Sequence, residues 1–187
     1  MLEAIAVAWF LLVIGDFFST FCYHIPEHVF GNLHLKTHHS SKKNFRHYAI
    51  LIPNFQVLLD GILGALPYLL VAIPLWSVSP AGVIGGLAFG QFHVWWRHTS
   101  VLGWQTPQFI TSLCRILYIT TPERHWLHHQ KTSLGYGDIF TFFEQPAKGW
   151  LRWLRLARFQ RLIPCARMAC FTPSSSAKCV RKRCKLG

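Results

Sequence analysis

Several signatures that would announce a function are missing from this 187-residue chain. No C-x-x-C pair occurs among its six cysteines, which argues against a zinc knuckle in the C-terminal set Cys165, Cys170, Cys179 and Cys184. No haem-binding or flavin-binding motif is present. No recognised nucleic-acid motif accompanies the excess of 19 Lys and Arg over 7 Asp and Glu, and nucleic acid is set aside as a partner. There is no internal repeat. No Lys or Arg precedes the first apolar stretch, Ala4 to Tyr23, and no small-residue cleavage pattern follows it. That combination disfavours a cleaved signal peptide and predicts a retained helix.

What the chain does have is apolar length. The Ala4–Tyr23 stretch, broken only by Asp16, matches the ~20 residues needed to cross a hydrocarbon core. The region from Ala49 to Trp96 is long enough for two more crossings, punctuated by Pro74 and Pro80, and predicts a helical hairpin of roughly Gln56–Ile73 and Pro80–Trp96. Gly82, Gly86 and Gly90 recur every fourth residue and would offer a neighbouring helix a smooth face. The segment Phe109–Thr120 is short and contains Arg115, and predicts a re-entrant or interfacial helix. Arg152, Arg155, Arg158 and Arg161 form a basic stripe among Trp and Leu, as in a helix lying at a membrane surface. The fold expected is therefore all-α: an integral-membrane helical bundle with about three crossings plus interfacial helices, over residues 1–163. Residues 164–187 are expected to be a flexible basic tail. Lys36, Lys42, Lys43, Arg46, Arg97, Arg124 and Lys131 follow the crossings and, by the positive-inside tendency, lie in the cytoplasm, with the N-terminus on the opposite side and the C-terminus cytoplasmic. That placement argues against structural disulfides.

At the ends of the apolar runs stand three histidine clusters: His24 with His28, His34 with His38 and His39, and His125 with His128 and His129. An α-helix advances about 100° per residue, so histidines three or four apart share a face and can converge on a metal ion. The adjacent pairs His38-His39 and His128-His129 diverge by one step, which suits one imidazole on one ion and its neighbour on a second. All these donors are nitrogens, compatible with zinc, copper, iron or nickel. A structural zinc site closes with four ligands, and about ten histidines are too many for one.

The order His24-Ile-Pro-Glu-His28, His34-Leu-Lys-Thr-His38-His39, His125-Trp-Leu-His128-His129 resembles the fatty acid hydroxylase / sterol desaturase superfamily of integral-membrane di-iron oxygenases. Gly135-Tyr-Gly-Asp-Ile-Phe140 looks like a shortened form of the Tyr-Gly and Asp-x-x-Phe elements after that family's last box, and the likeness runs from about Phe21 to Glu144. The resemblance implies two iron ions, for which zinc can substitute in purified protein, with O2 as co-substrate. It also implies a separate electron donor, a ferredoxin or cytochrome with its reductase, and hydroxylation or desaturation of a lipid-like hydrocarbon such as a fatty acyl chain, sterol or carotenoid. The ligands carried over are His24, His28, His34, His38, His39, His125, His128 and His129. His93 and His98 correspond to the family's extra histidines ahead of the last box. Their five-residue interval spans about 140° on a regular helix, so one of them needs a bend, and His93 is the stronger candidate. Pro26 places the first box at a helix start or a break.

His47 is read as a solvated loop residue. Glu27, Glu123, Asp138 and Asp60 are candidates to orient the metal-bound imidazoles. Asp16 and Asp60 fall in apolar segments, where an ionisable group is a functional suspect. Trp95, Trp96, Trp104 and Trp126 could line a channel or anchor the chain at the interface. The alternative function is a non-enzymatic membrane protein that binds or transports a metal. Such a carrier would place its ligands within the crossings rather than at their ends.

Overall fold

A computed structural model describes residues 1–39 and 43–168, and the described residues are all-helical apart from one isolated antiparallel bridge between Ile119 and Phe140. Helix α1 (Leu2–Phe18) continues through a π-helical turn, Ser19–His24, into the short α2 (Ile25–Val29). Pro26 lies at the start of α2, where its missing N–H leaves a backbone register open, and the π-turn immediately before it takes up the change. The first histidine box therefore straddles a break. Two short helices follow, α3 (Leu33–Thr37) and α4 (Phe45–Tyr48).

The hairpin comes next. Asn54 opens α5 (Phe55–Trp76) by accepting from the backbone N–H groups of Gln56 and Val57. A tight turn through Ser77, Val78 and Ser79 leads to α6 (Pro80–Trp96), where Ser79 accepts from Gly82 N and Pro80 sits in the first turn. A 3-10 turn, Thr99–Leu102, leads on to α7 (Gln108–Ile116) and α8 (Pro122–Gln130). A second, Thr141–Phe143, opens the long α9 (Glu144–Met168).

The continuous helix Leu2–Val29, 28 residues, and α5, 22 residues, are long and apolar enough to cross a membrane. The expected third crossing, α6, is apolar but has 17 residues. On its outer side α5 exposes Ile62, Leu66, Leu70 and Ile73, a surface suited to lipid. Helix α1 packs against both arms of the hairpin, with Val7 and Leu11 buried among Ala72 of α5 and Val83 of α6. A Cβ on Gly82 would lie 2.6 Å from the Ala4 carbonyl, and one on Gly86 2.7 Å from Leu11 Cδ2. The glycine stripe therefore does let two helices approach closely, although at Gly90 the spacing is looser, a Cβ there lying 3.5 Å from Leu12 Cδ2.

Helices α7 and α9 have the amphipathic character expected of them. Cys114 of α7 is buried while Phe109 and Ile116 are exposed; on α9, Ala147, Leu151 and Leu154 pack on Ile25, Val29 and Tyr136 while Trp153, Leu156 and Phe159 are exposed. Helix α9 runs to Met168, past the expected boundary at 163. Residues 169–187, with Cys170, Cys179 and Cys184, lie outside the described residues, so the expected tail is described only at its start.

The contact between α1 and α6 yields a test. Gly82→Ala should lower the thermal stability of the detergent-purified protein, by about 1–3 kcal/mol, because the clash is with backbone. Gly85→Ala, whose Cβ meets nothing within 4 Å, should leave it unchanged. Equal unfolding midpoints for the two variants would contradict this packing.

Candidate metal centre

The C-terminal end of α1, the N-terminal end of α5 and the C-terminal end of α6 meet, and the histidines gather there. The π-turn supplies His24, α2 supplies His28, and α3 with the residues just after it supplies His34, His38 and His39. His98 lies just beyond α6, and α8 supplies His125, His128 and His129. Eight of these fall into two sets of four. His24, His28, His39 and His128 form one; His38, His98, His125 and His129 form the other, each set having its donor nitrogens within 4.8 Å of one another. Both adjacent pairs are divided between the sets, as the one-step divergence on a helix requires.

The nitrogens face inward at short range. In the first set the Nε2 atom of His128 lies 3.0 Å from that of His24 and 3.2 Å from that of His28. In the second, Nε2 of His98 lies 3.0 Å from that of His125 and 3.3 Å from that of His38, and the Nε2 atoms of His129 and His125 are 3.2 Å apart. His128 Nδ1 donates to the Leu134 carbonyl at 2.7 Å and His98 Nδ1 to the Val94 carbonyl at 2.6 Å. A carbonyl only accepts, so the proton of each neutral ring is on Nδ1 and the Nε2 lone pair points into its set. Both ring nitrogens of His39 and Nε2 of His34 are buried without a hydrogen-bond partner. Converging lone pairs repel unless a cation lies among them. Ligand nitrogens at ~2.0–2.1 Å from a tetrahedral ion are about 3.3 Å apart, close to the spacing found here. The donors thus fit a metal ion in each set.

Carboxylates stand behind two of the rings. His34 Nδ1 lies 3.0 Å from Asp60 Oδ1, and Tyr23 and Thr37 donate their hydroxyls to the same carboxylate at 2.5 and 2.7 Å. His34, His38 and Asp60 also form a smaller group of possible ligands. His24 Nδ1 is 3.4 Å from Asp138 Oδ1, which receives Arg97 Nη1 at 2.9 Å. Burial works to raise the Asp138 carboxyl, but the Arg97 guanidinium and His24 hold it well below its ordinary value. Asp16 is fully buried in α1 and accepts from the backbone N–H groups of Asp138, Ile139 and Phe140 at 3.0, 3.1 and 2.7 Å. Gly135, at φ +72°, turns the loop so tightly over α8 that a Cβ would lie 2.9 Å from the Arg124 carbonyl and 3.2 Å from His128 Cβ.

Several expectations are corrected. His93 joins neither set. Its Nε2 lies 2.9 Å from the Thr120 carbonyl, and its ring sits between Phe89 and Trp96. His98, expected to be the weaker of the two, is in the second set because α6 ends at Trp96 and the chain is no longer a regular helix when it reaches His98. Glu123 is another correction: it accepts from Thr106 N and Oγ1, away from the imidazoles. Glu27 accepts from the backbone N–H of His34 rather than from a ring. His47 reaches the Thr37 carbonyl at 2.6 Å and steadies the second box without joining either set. Residues that gave little warning are Arg97, legible only as one basic residue among many, and Tyr48, whose ring stacks on His98 with centroids 5.6 Å apart. Tyr136, inside the Tyr-Gly element, packs 4.9 Å from His128.

A cavity of about 350 Å³ reaches His24, His34, His38 and His98 and runs between α5 and α6. Among its described lining residues are none of Trp95, Trp96, Trp104 and Trp126; Trp126 instead stacks on His129 at 5.2 Å.

Comparison with known protein families matches residues 9–147 of the chain, which include all three histidine boxes, to the family model described as fatty acid hydroxylase. No curated protein and no solved structure matches the chain.

The neutral imidazoles give the metal-free protein a defined pH response. Burial and then Arg97 push His98 and His125 well below the ordinary imidazole value; burial and then His24 do the same to His128; and His129 is lowered to about 3, again by burial and then Arg97. The unfolded chain takes up protons below about pH 6.5 while the folded one does not, so stability is present above that pH and is lost as the pH falls toward 3. Chelator-treated protein should therefore hold a constant unfolding midpoint above about pH 7 and lose it steadily below about 6.5. A midpoint insensitive to pH across that window would contradict the buried, neutral assignment.

Proposed function

The chain belongs to the fatty acid hydroxylase family, and from that premise we propose that it is a membrane oxidoreductase that uses O2 to hydroxylate or desaturate a lipid hydrocarbon at two iron ions. The observation that carries the reading is the pair of four-histidine sets at the inner end of a cavity between α5, a helix of membrane length, and the apolar α6. In this reading His24, His28, His39 and His128 hold one ion and His38, His98, His125 and His129 the other, with His34 as an additional donor beside them. Bound iron would supply O2-dependent oxidation of an unactivated C–H bond, the step that no side chain of this protein can perform alone. Zinc can occupy the same nitrogens.

The chain's own residues have distinct tasks. The Leu134 and Val94 carbonyls keep the protons of His128 and His98 on Nδ1, so that Nε2 stays a donor to metal. Asp60 orients His34 in the same way, and the Asp138 carboxylate faces Nδ1 of His24 at 3.4 Å. His98, His125 and His128 are buried, which keeps bulk water from the reacting carbon. The mostly apolar cavity holds the hydrocarbon against the imidazoles. Electrons come from a separate ferredoxin or cytochrome with its reductase, for which the exposed Arg152 and Arg155 of α9 offer a basic docking face. With α6 as the third crossing, the N-terminus lies opposite the metal site, and the site and C-terminus face the cytoplasm, in line with the positive-inside tendency. A metal carrier would need its ligands within the crossings. Here the sets lie where the helices end.

Metal analysis of the detergent-purified protein tests this. Iron-supplemented wild type should carry about two ions per chain, as sites with three or four histidine ligands each would hold. His28→Ala and His98→Ala, one from each set, should each lose about one ion, whereas His93→Ala should keep both. A chain that binds no stoichiometric metal after iron supplementation would sink the proposal.

A further inference from the structure

The cavity between α5 and α6 has a feature that the metal site does not require. Beside Tyr68, Leu69 and Leu87, its wall away from the histidines includes a run of small residues: Gly61, Gly64 and Ala65 on α5 and Gly86 and Gly90 on α6. Close packing demands Gly86, which meets the α1 backbone, while a Cβ on Gly61 would lie 2.5 Å from Cδ1 at the tip of the Ile50 side chain. It does not demand Gly64 or Gly90. A Cβ on Gly64 would have its nearest neighbour, Tyr23 Cε1, at 3.8 Å, and one on Gly90 would meet Leu12 Cδ2 at 3.5 Å. Ordinary van der Waals space surrounds both positions. Both border the cavity, and what the missing side chains leave open is its bore.

The cavity is also open sideways. Ala65 and Leu69 of α5 and Gln91 of α6 line it and are at the same time exposed. Ala65 and Leu69 lie along the middle of α5 and Gln91 toward the C-terminal end of α6, on helices whose outer surfaces are apolar. The opening therefore faces the hydrocarbon region of the bilayer. Packed helices lie about 8–10 Å apart, and glycines set between larger residues such as Tyr68 and Leu87 leave a slot about one alkyl chain wide rather than a chamber for a fused ring system.

We propose that the α5–α6 seam is a lateral portal that admits a single unbranched alkyl chain from the bilayer, and that Gly64 and Gly90 are the specificity-determining residues that keep its bore open. The inference rests on the lipid-oxidising function proposed above. It narrows the substrate to a lipid bearing a free alkyl chain and places the chain's reactive carbon beside His24, His38 and His98 at the inner end.

The test uses the full chain in phosphatidylcholine vesicles with a fatty acid carrying a diazirine on its alkyl chain, photolysed and mapped by peptide mass spectrometry, with metal content measured on the same samples. Wild type should be labelled on α5 between residues 61 and 69 and on α6 between 86 and 94. Gly64→Leu and Gly90→Leu should lower that labelling about tenfold, the factor that ~1.4 kcal/mol of steric cost produces, and should keep the wild-type metal content. Gly85→Leu, a substitution on the other side of α6, should change neither. Labelling that falls equally in Gly85→Leu, or survives in both Gly64→Leu and Gly90→Leu, would overturn the proposal. So would stronger labelling of these peptides by a sterol diazirine than by the fatty acid. If a leucine variant loses its metal, Gly64→Ala and Gly90→Ala take its place and should reduce labelling to a smaller degree; wild-type crosslinks confined to other helices overturn the portal regardless of any variant. A metal-free chain labelled in the seam would count against the oxidoreductase reading and leave the portal standing, whereas a metal-loaded chain without seam labelling would do the reverse.

Discussion

The carboxylate of Asp16 is the tie on which the arrangement depends. It sits in a membrane-length helix, fully buried, and accepts from three consecutive backbone N–H groups of the loop after α8. More than 120 residues separate the partners in sequence. Without that acceptor two buried amides, those of Ile139 and Phe140, would lack partners at about 1–3 kcal/mol each, and the partly buried Asp138 N–H would lose its own. The loop held in this way carries Asp138, which meets His24 and Arg97, while Gly135 presses it onto α8 behind His128. Through one side chain the first histidine box is thereby fastened to the last.

Once the boxes are brought together, the chemistry of neutral imidazole dictates what the centre can do. Burial and neighbouring positive charge disfavour protonation, backbone carbonyls take the Nδ1 protons, and lone pairs are left pointing at one another. In water such a cluster would spread apart; in a packed interior it is a site prepared for cations. The division of His38 from His39 and of His128 from His129 creates two such places from one set of helices, and the cavity touches members of both sets. Apolar helices supply the approach, so the same segments that suit the bilayer also shape the route to the histidines.

Much of this was legible in the chain itself. Helical spacing put the histidines on common faces, adjacent pairs implied two centres, Pro26 implied a break in the first box, and the α5 and α6 boundaries followed from apolar length and the intervening turn. The resemblance read from the boxes agrees with the family match over residues 9–147. Other features were hidden for a physical reason. Periodicity describes a residue's direction within a regular helix, and His98 lies just past the end of one, where a 3-10 turn re-aims the chain; the spacing argument therefore favoured His93, whose ring is engaged with the Thr120 carbonyl. Glu123 is near the third box in sequence but is engaged with Thr106.

The sequence by itself determined the donor type, the number of histidines and the apolar lengths, because these depend on composition and on spacing within single helices. Tertiary structure alone decided which imidazoles share a set, that Asp16 closes the α8 loop, that Arg97 serves Asp138, and that Gly64 and Gly90 border a cavity while Gly82 accommodates a helix. Those outcomes depend on contacts between segments far apart in the chain, and a local period carries no information about which distant element will arrive on a given face.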